Sequence, residues 1–167
     1  LLLNGISGIE VIILRVDDRY IHGQVVAGWA RPLGIEVIIL ASDKLSKDEW
    51  ACSAYELAIP EGIEFCCVDI KHCVTIATRE KKKKLMVIVG SVHEAHRLLL
   101  AGLEVKEVNI GGVGYKEGTR EITTYIYLTP YDIEAIVQLY EMGIKVIGKQ
   151  LPNSPPVDVV KMLTGVK

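Results

Sequence analysis

The sequence predicts an α/β domain built on an open, mostly parallel twisted sheet with helices on both faces. Three observations lead there. Short apolar runs alternate with helix-period segments from one end of the chain to the other. Most of those runs are continuous rather than alternating, the pattern of strands covered on both faces. The length of 167 residues suits one domain with a continuous core.

The elements follow in order. Strands are predicted at 9–16 (IEVIILRV), 35–41 (IEVIILA), 63–69 (IEFCCVD), 85–90 (LMVIVG), 105–111 (VKEVNIG) and 144–150 (IKVIGKQ). A first helix is predicted to open near Gly23, with Val25, Val26 and Trp29 on its buried side. Trp50, Ala54, Leu57 and Ala58 give an apolar stripe between the second and third strands. Ser91 and Glu94 form a capping-box pair, after which Val92, Ala95 and Leu99 share a face until Gly102. The glycines and β-branched residues of NIGGVGYKEGTREITTYIYLT predict a loop and an extended excursion, with a hairpin as one form. Thr129 caps a helix with Pro130 at its first position, Ile133, Ile136, Val137 and Tyr140 as its apolar stripe and Gly143 as its stop. LPNSPP is a turn, and VDVVKMLTG a short closing helix. Repeated strand–helix–strand units imply right-handed crossovers. Residues 1–8 are expected to be an N-terminal extension and 9–167 one domain.

Composition excludes several classes. The formal net charge of −2 argues against a nucleic-acid binder. The basic run REKKKK at 79–84 has no interleaved aromatics and reads as a solvated loop face. No apolar run reaches the roughly 18–20 residues that cross a bilayer, and the opening LLLNGISG lacks the basic flank of a signal peptide. Cys52, Cys66, Cys67 and Cys73 show no metal-type spacing and are expected to be free thiols in a reducing cytosol.

The stretch RVDDRYIHGQV at 15–25 concentrates Arg15, Asp17, Asp18, Arg19 and His22 between two apolar segments. It lies beyond the carboxyl end of the first strand, where open parallel sheets bind ligands. At the start of the following helix, His22 stands where free N–H groups and the helix dipole favour an anion. Gly23 lets backbone approach that anion, and Arg19 reaches the same loop. A neutral imidazole is a competent nucleophile near pH 7, and an Arg clamp suits a transferring phosphoryl group. Asp17 or Asp18 would hold Arg19 or fix the imidazole tautomer. The plainer alternative is a salt-bridged turn with an exposed histidine.

RVDDRYIHGQV, with a tryptophan soon after it, resembles the phosphorylation-site segment of IIB components in the mannose/fructose/sorbose family of the bacterial sugar phosphotransferase system. ASD at 41–43, NIGG at 109–112, EG at 117–118, DIEAIVQLYEMGIKV at 132–146 and LPNSPPVDV look like the same family's pattern in the same order. The resemblance implies a phosphohistidine carrier: His22 as the phosphorylated nucleophile, Arg19 facing the phosphoryl oxygens and Asp17 as the orienting acid. Gly23, Gln24, Ser42, Gly111 and Gly112 would line the phosphoryl loop. It implies a IIA component as donor, membrane IIC and IID components with bound sugar as acceptor, and no cofactor, metal, nucleic acid or direct membrane insertion. The location implied is the cytoplasmic side of the membrane, bound peripherally through the permease partners. Self-association is left open. A rival reading is an idle family member that binds a small anion or regulates without turnover. Two positions depart from the family's habit: Gly114, where a histidine or bulkier residue is common, and Tyr20, where an aliphatic one is.

Other candidates read as structural. His93 and His96 lack further metal ligands at zinc-type spacing. GGVGYKEG lacks the helix a dinucleotide loop requires. His72 and Cys73 have no neighbour that would activate a thiolate. Ser42 and Asp43 read as a helix cap, with a hydrogen bond to the phosphoryl group or to the His22 loop as the functional alternative.

Overall fold

The computed structural model describes residues 12–165. The expected boundary at residue 8 and the first residues of the predicted first strand lie outside them. Seven strands form one sheet in the order β3-β2-β4-β1-β5-β8-β9. These are β1 Ile12–Asp17, β2 Val37–Ala41, β3 Glu64–Val68, β4 Leu85–Val89, β5 Glu107–Gly112, β8 Lys145–Gly148 and β9 Val157–Asp158. All neighbours are parallel except β9, which returns antiparallel on β8. The predicted excursion is a separate hairpin of β6 Arg120–Thr123 and β7 Ile126–Leu128.

The sheet is covered on both faces, as continuous apolar strands require. Every residue of β2 and β4 is buried. One face carries α4 Ile70–Arg79, α5 Val92–Leu100, α6 Pro130–Glu141 and α7 Val159–Thr164. Ile70, Cys73, Ala95, Leu98, Ile136 and Leu139 pack there against Leu14, Val16, Val87 and Ile110. The other face is smaller: Ile21, Val25, Trp29 and Ala30 cover Ile38, Leu40, Met86 and Ile88. Ile21 comes from the preceding loop; the helix supplying the other three opens as α1 Gly23–Val25, widens into a π-helical turn over Val26–Ala30 and closes as α2 Arg31–Leu33. Such π insertions often mark functional positions. The chain leaves β1 toward β2 on one side, whereas β5, β8 and β9 lie on the other. The switch point therefore falls at the carboxyl ends of β1 and β5.

The caps at Ser91 and Thr129 form as predicted; the second is a full capping box with Asp132. Three expectations are corrected. In α3 Glu49–Glu56 no residue is buried, and Trp50 and Leu57 are each 89% exposed, so the predicted stripe faces outward. In α6 the buried face is Asp132, Ala135, Ile136 and Leu139, while Val137 and Tyr140 are exposed. The Asp132–Thr129 box sets that rotation by turning Asp132 inward. Finally, Cys52 and Cys67 are joined in a disulfide that ties α3 to β3, and only Cys66 and Cys73 are free. Spacing 15 residues apart gave no sign of it, because the pairing depends on how α3 folds back on β3.

Candidate functional site

The site begins with strand alternation. Leu14 and Val16 point into the larger core, so Arg15 and Asp17 point to the opposite face. There both side chains are fully buried, which demands partners for two charges. Asp17 finds them in the loop it precedes. Its Oδ1 accepts from the Arg19 backbone N–H at 3.1 Å and from Arg19 Nε at 3.4 Å. Its Oδ2 accepts from Arg15 Nη2 at 3.2 Å and lies 2.8 Å from His22 Nε2.

The loop is shaped to bring these groups together. The Tyr20 N–H closes a turn onto the Asp17 carbonyl at 3.0 Å, with Tyr20 in the left-handed region at φ 58°. Such a conformation is uncommon for a bulky residue. The phenol of Tyr20 lies where a Cβ on Gly90 would fall, and its ring meets Tyr55 edge-on at 5.7 Å. Burial pushes that phenol's pKa up. Asp18 sews the loop to the end of β5: its N–H donates to the Gly112 carbonyl at 3.0 Å, and its Oδ2 accepts from Gly114 N–H at 2.8 Å. His22 then stands in extended backbone as the cap residue of α1, its carbonyl accepting from Val26 N–H and its side chain making no cap bond.

Arg15 lies beneath all of this. Nη1 donates to Asn109 Oδ1 at 2.9 Å and to the Lys149 carbonyl at 3.1 Å, and Nη2 also donates to Gln24 Oε1 at 3.0 Å. The guanidinium carbon lies 4.9 Å from the Trp29 ring centroid, a cation–π contact, and Trp29 Nε1 donates to the Gln150 carbonyl at 2.7 Å. Burial pulls the Arg15 pKa down, with Asp17 opposing. Val16 pairs with Ile110 and Asp17 with Gly112, so Gly111 is the extra residue of a bulge. Any Cβ on Gly111 would enter the Arg15 guanidinium.

The structure thus gathers Asp17, Arg19, His22, Gly23, Gln24 and Gly112 at one point. Gly23 is exposed with open space where a side chain would project, and Gly112 faces Arg19 Nη2. Two predicted residues sit beside this point. Gly111 makes room for Arg15 below the loop, and Ser42 Oγ accepts from Leu45 N–H and also reaches the Tyr20 phenol of the His22 loop. Asp43 accepts from Ile70 N–H and pairs with Arg97 Nη2 at 2.7 Å, again a structural part. His72 pairs with Asp69 on an exposed helix end. Among the described residues no three His, Cys, Asp or Glu side chains converge as a metal donor set. No helix among them is long and apolar enough to cross a membrane. Sequence reasoning gave Arg15 no role, although a charge two residues before Asp17 in an apolar strand must share its face.

An α/β domain with a histidine and a buried carboxylate at its topological switch point has close relatives. Residues 11–167 match the family model described as the PTS system sorbose subfamily IIB component. The chain belongs to that family of sugar-specific phosphotransferase-system components. It is 28% identical over 159 residues to the fructose-specific EIIB component of Bacillus subtilis, covering 94% of this chain and 98% of that one. It is 24% identical to the mannose-specific EIIAB component of Escherichia coli, covering 91% of this chain and 48% of that longer protein. The crystal structure of the IIB domain of the Klebsiella pneumoniae sorbose permease superposes with a TM-score of 0.86 at 24% identity, covering 94% and 98% of the two chains. A second solved structure, of a phosphoenolpyruvate-dependent phosphotransferase system, gives a TM-score of 0.85 at 29% identity, covering 94% and 99%.

Proposed function

We propose that this chain is a phosphohistidine carrier: His22 accepts a phosphoryl group from a phosphohistidine of a IIA component and passes it to a sugar held by membrane IIC and IID components. The observation that carries this reading is the 2.8 Å contact between Asp17 Oδ2 and His22 Nε2. A carboxylate there holds the imidazole proton on Nε2 and leaves the Nδ1 lone pair to attack phosphorus. In the first step the donor's N–P bond breaks and returns its electron pair to the donor imidazole, while the Nδ1–P bond forms. No proton has to move. The positive charge relocates to the His22 ring, where Asp17 faces it.

Arg19, with a side chain 55% exposed, and the first N–H groups of α1 meet the phosphoryl oxygens from the open side. Gly23 leaves space for their approach. In the second step a sugar hydroxyl oxygen attacks phosphorus, the Nδ1–P bond breaks, and the hydroxyl proton passes to a base beside the bound sugar. Because two partners engage His22 in turn, their contacts are small and transient, and the domain works at the cytoplasmic face of the membrane through its permease partners.

The test is incubation with a phosphorylated IIA component of the same family, read by intact mass. One added phosphoryl group on the wild type and none on a folded His22→Ala variant is the expected result. No transfer from an active donor would overturn the carrier and favour a module that binds an anion without turnover.

A further inference from the structure

We infer that Arg15 is a positioning residue for phosphoryl acceptance, acting through Asp17 and Gln24 to fix the nitrogen that His22 presents; this rests on the carrier reading above. A buried guanidinium needs acceptors for its own N–H groups whatever its role; what bears on function is where Arg15 sends them. Arg15 makes four hydrogen bonds, and they divide by direction. Asn109 Oδ1 and the Lys149 carbonyl hold Nη1 to β5 and the segment after β8. Asp17 Oδ2 and Gln24 Oε1 receive Nη2, one on each side of the His22 loop. Asp17 closes β1 and Gln24 lies in the first turn of α1, so one rigid fork pins both ends of the loop to the sheet.

The same oxygen serves both neighbours. Asp17 Oδ2 receives Arg15 at 3.2 Å and faces His22 Nε2 at 2.8 Å, so the fork sets the direction from which that oxygen meets the ring. Two further features fit this arrangement. The bulge at Gly111 opens β5 where the guanidinium lies, and Trp29 is tethered at 2.7 Å beneath it. Arg15 Nε is the one buried side-chain polar atom left unpartnered among the described residues. The site accepts that cost because the guanidinium is placed to serve Nη1 and Nη2.

The experiment measures phosphoryl acceptance from a phosphorylated IIA component by Arg15→Lys, Arg15→Met and Asn109→Ala, in wild-type and Asp17→Asn backgrounds. Unfolding midpoints are recorded beside the rates, and phosphorus NMR identifies the modified nitrogen. Lysine keeps the charge but cannot grip Asp17 and Gln24 together, so acceptance should fall about 10- to 100-fold in a folded protein. Label should then appear on both ring nitrogens instead of one, and the loss should largely vanish in the Asp17→Asn background. A purely structural role would lower the midpoint without mixing the nitrogens. Should the Arg15 variants fail to fold, Asn109→Ala decides, because it removes one of the two acceptors that hold Nη1 without touching the loop. A folded variant that accepts at the wild-type rate on a single nitrogen overturns the inference. Failure of the wild type to become labelled at His22 overturns the carrier reading itself.

Discussion

Asp17 Oδ2 lies 2.8 Å from His22 Nε2, and the carboxylate that makes this contact is wholly buried while the imidazole is 19% exposed. A buried anion thus reads the inner side of a ring whose other nitrogen has no hydrogen-bond partner among the described residues. The same carboxylate also takes Arg15 and Arg19.

Asp17→Asn therefore removes one charge that three cations or potential cations share. Leaving the buried Arg15 without its counter-charge should destabilise the fold by about 3–5 kcal/mol. Urea denaturation reads that loss. Phosphoryl acceptance should drop by at least about 100-fold, measured on protein kept at a denaturant-free, fully folded temperature.

Arg19→Ala should behave in the opposite proportion. Its pair with Asp17 is half-exposed, and such pairs contribute only about 0–1 kcal/mol. Stability should hardly change. Loss of the cation proposed to face the phosphoryl oxygens should slow acceptance about 10²- to 10³-fold. A rapid-quench measurement of transfer checks this.

The fold was largely legible because the strands are continuous apolar runs and the caps are explicit: Ser91, Thr129 and Pro130 fix where α5 and α6 begin. Spacing failed where it had no single answer. Between 133 and 140, apolar residues occupy 133, 135, 136, 137, 139 and 140, so two overlapping stripes fit and only Asp132 chooses between them. Trp50, Ala54 and Leu57 form a stripe by spacing, but α3 is held by Cys52 and Tyr55 and turns that stripe outward. The loop's Asp17, Arg19 and His22 were visible as a motif. The support beneath it was not, since Asn109, Lys149 and Trp29 come from distant segments that only the folded sheet brings to Arg15.

The Cys52–Cys67 bond should have a measurable weight. It closes a loop of 15 residues, for which the chain-entropy model gives about 3 kcal/mol. Cys52→Ser, or addition of a thiol reductant to the wild type, should lower the urea midpoint by a matching amount. The reductant should have no further effect on the variant.

Alkaline stability should track Cys73. Burial is the largest cause raising this thiol, which is pushed up to about 12 from an ordinary value of 9.0. The unfolded chain loses the proton near 9 and the folded chain does not. Stability from the buried neutral thiol is thus fully present below about 9 and is lost as pH climbs toward about 12, at roughly 1.4 kcal/mol per pH unit. Cys73→Ala should flatten that part of the curve, at the cost of a small cavity. Denaturation midpoints between pH 8 and 11 test it.

The most direct measurement is phosphorus–nitrogen correlated NMR on histidine-labelled protein after incubation with a phosphorylated IIA component of the family. With four histidines in the chain, the spectrum reports both which residue and which nitrogen is modified. The account predicts one phosphoryl group, on Nδ1 of His22, with Nε2 still protonated toward Asp17. A phosphoryl group on Nε2, or on His72, His93 or His96, would contradict it.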